Sequence, residues 1–122
     1  RCYTDRDYQI INLPLLLSGL HGVRTADLDY DSDAHRLLRF KLKRLSTVYI
    51  IYQAKAHQLP NWLRGFKRHE TLKVDIETLG GLYPFFIYSR DFPEGAFAIG
   101  GAHAKGYSGI VFMNYLMAVK PL

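Results

Sequence analysis

Cysteine is nearly absent: the 122 residues contain only Cys2. One thiol cannot close an internal bridge, so no disulfide staples the core. Cys2 is then either a free thiol or half of a bridge to other sequence, including an intermolecular disulfide in an oligomer or filament. Apolar runs such as Leu13–Leu17 are far too short to span a bilayer, which argues against membrane insertion. N-glycosylation sequons are missing too, because Asn12, Asn61 and Asn114 lack a hydroxyl residue two places on. The sequence shows no secretory signal and starts at Arg1 rather than Met, so a processed or excised piece of a longer protein is expected.

What is present is ordinary in bulk and unusual in its aromatics. Hydrophobic residues make up 48% and charged residues 22%, values that exclude a disordered chain. Nine Tyr and seven Phe accompany a single Trp, a composition suited to pleated, half-buried surfaces. A chain of this length is expected to form one domain, residues 1–122, burying about two-thirds of its unfolded surface.

The net charge is +5, and much of it lies in Arg36–Arg44. There Leu38, Phe40 and Leu42 alternate with Arg39, Lys41 and Lys43, the period of a strand with one wet face. Arg64, Lys67 and Arg68 form a second basic group. Neither comes with a groove-reading helix or a single-strand-binding signature, so nucleic acid is not an expected partner. The cations read as a solvated strand face that also guards a sheet edge.

Turn signals recur about every ten residues between strand-like segments. Tyr8–Leu13, Val23–Ala26, Arg36–Leu42, Val48–Gln53, Leu72–Glu77, Tyr83–Tyr88, Phe97–Ile99 and Ile110–Val119 read as strands. The continuous apolar run Val48–Gln53 predicts a central strand buried on both faces. Helical spacing of Leu37, Leu38, Lys41 and Leu45 offers a rival reading of one segment, but strand is preferred. Turns are expected at Gly80-Gly81 and across Asp91–Gly95, with one short helical turn near Asn61–Arg64. The predicted class is all-β: a two-sheet antiparallel β-sandwich, jelly-roll or immunoglobulin-like, of about eight strands.

Chemical motifs are few. Asp27, Asp29, Asp31 and Asp33 alternate in one loop, a donor set that suits calcium. The EF-hand register fails, however, with Ser32 at the glycine position and Leu38 at the bidentate glutamate. A solvated acidic loop pairing with Arg24 or Arg36 is preferred, and a structural calcium is the alternative; no other cofactor is expected. Gly101–Ser108 misses the phosphate-binding loop because Tyr107 stands where lysine is needed. Ser108 lacks nucleophile-elbow spacing, since Ile110 takes the last glycine position. The five histidines show no zinc-ligand spacing, and no carboxylate pair stands out as acid and base. An enzyme is not expected.

Trp62 carries two readings. As a corner plug, it fills the sandwich end beside Leu59, Leu63 and Phe66. As a binding platform, it stacks on a sugar ring with Tyr49, Tyr52, Asn61 and Gln58 around it.

Tyr3–Tyr8, Gly22–Ala26 with Asp29, Val48–Ile50, Pro60-Asn61-Trp62-Leu63, Phe92-Pro93-Glu94-Gly95 and Ile99-Gly100-Gly101 together carry a resemblance over nearly the whole chain. The sequence resembles a β-sandwich accessory module of large secreted multidomain proteins, often found beside carbohydrate-active domains. That resemblance implies a non-catalytic extracellular role. The chain departs from the pattern after the central strand, where Gln53-Ala54-Lys55 replaces a polar Asp-x-Arg type segment. The expected function is therefore a structural or adhesive unit that meets copies of itself, or neighbouring domains of its parent, through edge strands or the N-terminal segment. A carbohydrate-binding module, with glycans as partners, is the alternative.

Overall fold

The computed structural model describes residues 9–11, 13–14, 17, 19–23, 38–54, 59–78, 80–101 and 115–122. Among these, eight strands and one 3-10 turn follow in chain order: β1 (Gln9–Ile11), β2 (His21–Val23), β3 (Leu38–Leu42), β4 (Ser46–Gln53), the turn Asn61–Gly65, β5 (Lys67–Thr78), β6 (Gly81–Phe92), β7 (Gly95–Ile99) and β8 (Leu116–Pro121). The protein is all-β, built as two antiparallel sheets. Six strands run in the order β1-β5-β6-β4-β8-β2, and β3 pairs with β7 as a two-stranded ribbon.

The apolar run in β4 is explained by its place. It pairs with β6 on one side and β8 on the other, so both edges of its backbone are satisfied inside the sheet. Its side chains are buried on both faces, apart from a half-buried Thr47. Even-numbered β4 residues Val48, Ile50 and Tyr52 face the ribbon and the corner, packing with Leu42, Leu63, Phe66, Tyr88, Phe92, Ile99 and Met117. Odd-numbered Tyr49 and Ile51 join Val74, Ile76, Phe85, Ile87, Leu116 and Leu17 on the opposite face. The period of two along a strand thus divides one sheet between two cores.

The ribbon docks through aromatics. Phe40 meets Phe92 edge-on, with ring centroids 5.8 Å apart, and Phe97 meets Phe92 at 4.9 Å. T-shaped pairs of this kind add to the area they bury. Leu38, Phe40 and Leu42 point inward while Arg39 and Lys41 stay exposed, as the alternation predicted.

Several boundaries differ from expectation, with β4 starting at Ser46 rather than Val48, β7 at Gly95 rather than Phe97 and β8 ending at Pro121 rather than Val119. β5 begins at Lys67 rather than Leu72, because its register shifts between Arg68 and Lys73 and breaks the alternation that marks a strand. β6 runs on to Phe92, since Asp91 and Phe92 pair with Thr47 and Ser46; the turn is confined to Pro93-Glu94. β2 ends at Val23, where the predicted strand began.

Candidate functional site

The corner after β4 rests on Pro60, whose extended backbone precedes the 3-10 turn. Leu63 is fully buried beneath the turn, and this anchor fixes where Trp62 lies. The Trp62 indole N–H donates to the Gly101 carbonyl at 2.8 Å. Its ring packs on Tyr115 at 5.0 Å and edge-on against Phe66 at 6.0 Å. Tyr115 is buried and donates its hydroxyl to the Gly100 carbonyl at 2.8 Å. Trp62 is nevertheless only half-buried. It is a plug on its inner side and part of the surface on its outer side.

That outer side opens on a groove of about 770 Å³ lined, among the described residues, by Arg39, Phe40, Lys41, Trp62, Ala96, Phe97 and Ala98. The register of the ribbon explains its shape. Arg39 pairs across the strands with Ala98, and Lys41 with Ala96, so each long cation stands opposite a methyl group. Small residues leave a floor that the cations overhang. Among the described residues, neither Arg39 nor Lys41 has an ion-pair or hydrogen-bond partner.

The residues named from sequence are only partly brought together. Asn61 is exposed next to Trp62. Tyr52 is fully buried, meeting Tyr88 edge-on at 6.4 Å, and offers no surface to a ligand. Tyr49 is also buried and lies on the other face of the sheet, 6.2 Å from the His69 ring. The two tyrosines are three residues apart in one strand, and an odd spacing sends them to opposite faces. The grouping of surface tyrosines around Trp62 is corrected accordingly. Gln58, the acidic positions Asp27, Asp29, Asp31 and Asp33, and Cys2 lie outside the described residues. Among the described residues no three metal-ligating side chains cluster.

A second polar feature went unread in the sequence. His69 Nε2 and Ser89 Oγ share a hydrogen bond of 2.7 Å, joining β5 to β6. A carboxylate on the same strand, Asp91, instead accepts from the Thr47 hydroxyl at 2.6 Å. Burial lifts the Tyr49 phenol above its ordinary value, and the Asp91 carboxylate adds to the shift. Burial lifts Tyr88 as well, against the pull of the nearby Arg68 guanidinium. Arg68 itself reaches Glu70 at 2.7 Å and lies 4.8 Å over the Phe86 ring. The groove cations were visible as an alternating strand face. Only the pairing with Ala96 and Ala98 makes that face concave, and no local pattern encodes that partner.

No protein-family model matches the sequence, and a search of curated proteins finds no match. Among solved structures, a β-glucuronidase from glycoside hydrolase family 2 matches over 100% of this chain, with a TM-score of 0.84 and 21% identity. The chain spans 12% of the length of that enzyme. At such identity the likeness establishes the fold alone: the chain shares the β-sandwich fold of one part of a family 2 glycoside hydrolase.

Proposed function

We propose that this domain is a non-catalytic β-sandwich module of a larger carbohydrate-active protein, working outside the cell to hold or position its neighbours. The observation that carries this reading is the match of the whole chain to a small fraction of a glycoside hydrolase. A segment of that size fits an accessory unit. The two faces of the central sheet are filled by hydrophobic side chains, an arrangement suited to a scaffold. Its partners in this reading are neighbouring domains of its parent or further copies of itself.

The test is an assay of the purified chain against chromogenic aryl glycosides, a glucuronide among them, together with light scattering. No turnover is expected. Turnover that disappears in His69→Ala would overturn the non-catalytic reading and give the Ser89–His69 pair a catalytic role.

A second reading, glycan binding, is favoured by one observation. Trp62 lines an open groove while its indole N–H is already engaged, so its orientation is set before any ligand arrives.

A further inference from the structure

We propose that the outer face of the β3–β7 ribbon binds an acidic saccharide, one bearing carboxylate or sulfate groups, with Arg39 and Lys41 as the anion contacts and Trp62 as the wall against which a sugar ring rests. The inference rests on the glycan-binding reading above and adds the ligand class.

The argument begins with the strand. Arg39 and Lys41 are two residues apart on one face of β3, which sets their Cα atoms about 7 Å apart along the groove. Both are exposed, and among the described residues neither is engaged by a carboxylate. Elsewhere on the surface Arg68 is held by Glu70, Arg90 lies 4.9 Å over Phe92, and Lys73 approaches Phe86 at 5.9 Å. Arg39 and Lys41 thus stand apart from these engaged cations, and both line the groove. No described residue lining it is acidic.

Charge complementarity therefore selects an anion, and the two cations divide the work. A guanidinium fits a carboxylate or sulfate with two parallel hydrogen bonds, whereas an ammonium acts as a point charge. Ala96 and Ala98 let a ring approach the ribbon closely, since a larger side chain at either place would fill the floor. A saccharide is favoured over a nucleic acid because the aromatic residues among the groove's described walls, Trp62, Phe40 and Phe97, are all half-buried against one core rather than standing as a row of exposed rings. Successive stacked bases would need several such rings.

Binding is measured by calorimetry and by affinity electrophoresis, with polygalacturonate as the carboxylated probe, heparin as the sulfated one, dextran as the neutral control and oligo-dT as the nucleic-acid control. Either acidic glycan, or both, should bind more tightly than dextran, and which one does so identifies the anion. The double variant Arg39→Gln/Lys41→Gln should weaken binding about tenfold or more. A charge-matched double variant of exposed residues outside the groove, Lys67→Gln/Lys120→Gln, should change it far less. Trp62→Phe, which keeps a ring at the corner, should weaken binding of whichever acidic glycan binds, without abolishing it.

Equal losses from the two double variants would reduce the effect to net charge and overturn the proposal. Tighter binding of oligo-dT than of either glycan would replace the saccharide with a nucleic acid. Binding of dextran equal to that of the acidic probes would sink the acidic class while leaving the glycan reading in place. Absence of binding to every glycan would remove both.

Discussion

Trp62 and Gly101 are 39 residues apart in sequence and joined by a 2.8 Å hydrogen bond from the indole N–H to the glycine carbonyl. The contact ties the corner after β4 to the chain leaving β7. With Tyr115 bonded to the adjacent Gly100 carbonyl, it draws three distant segments to one end of the sandwich.

Removing these links one at a time should give graded losses. Tyr115→Phe deletes only a hydroxyl and strands the Gly100 carbonyl, so a loss of about 1–2 kcal/mol is expected. Trp62→Ala removes the bond and most of a ring packed on Phe66 and Tyr115, and should cost about 3 kcal/mol or more. Urea denaturation of the purified variants reads both values. Equal, negligible effects would mean that the corner is not tied down as described.

Alkaline stability should fall through the buried phenols. Tyr88 and Tyr49 hold their protons more tightly in the folded chain, chiefly because burial penalises the phenolate. The unfolded phenols ionise first, near pH 10, so their contribution is complete below that value and is lost as pH climbs through the raised folded values. Urea midpoints should hold steady from about pH 8 to pH 9.5 and then decline. Tyr88→Phe should flatten the decline. A wild-type midpoint unchanged well above pH 10 would contradict the assignment.

The period-two and continuous apolar patterns made β3, β4 and much of β6 legible, because each strand's environment is written in its own side chains. β5 was legible only from Leu72 onward, since the register shift after Arg68 scrambles the alternation that a reader relies on. The corner was legible through Pro60 and Trp62, whose shapes restrict where they can sit. The groove was not, because it depends on Ala98 lying opposite Arg39, a pairing between strands 59 residues apart. Tyr49 and Tyr52 misled for a related reason: chemical type suggested a platform, whereas strand parity separates them.

That parity has an energetic consequence. Ile50 is fully buried in the core beneath the ribbon and Ile76 in the core on the far face. Each Ile→Val change should cost about 0.5–1.5 kcal/mol. The double variant should cost their sum, because sites on opposite faces share no packing partner. Coupling beyond about 0.5 kcal/mol in urea denaturation would show that the two cores respond as one.

Gly95 opens β7 with φ near +146°, opposite Leu42 at the end of the ribbon. Space does not forbid a side chain there: an added Cβ would meet the Phe97 ring at 3.6 Å, an ordinary contact. The backbone does, because L-residues rarely adopt that φ. Gly95→Ala should therefore destabilise the protein by about 1–3 kcal/mol. Gly22→Ala, in β2 with nothing nearer than the Met117 carbonyl at 3.9 Å, should be neutral or stabilise slightly. Because Gly95 sets the angle at which β7 leaves Pro93-Glu94, its replacement should also disturb the Arg39–Ala98 and Lys41–Ala96 pairings. Hydrogen exchange along β3 and β7 reads this directly. Faster exchange there, with β4 and β6 unchanged, is the expected result, and uniform protection in Gly95→Ala would show that the ribbon does not depend on this turn.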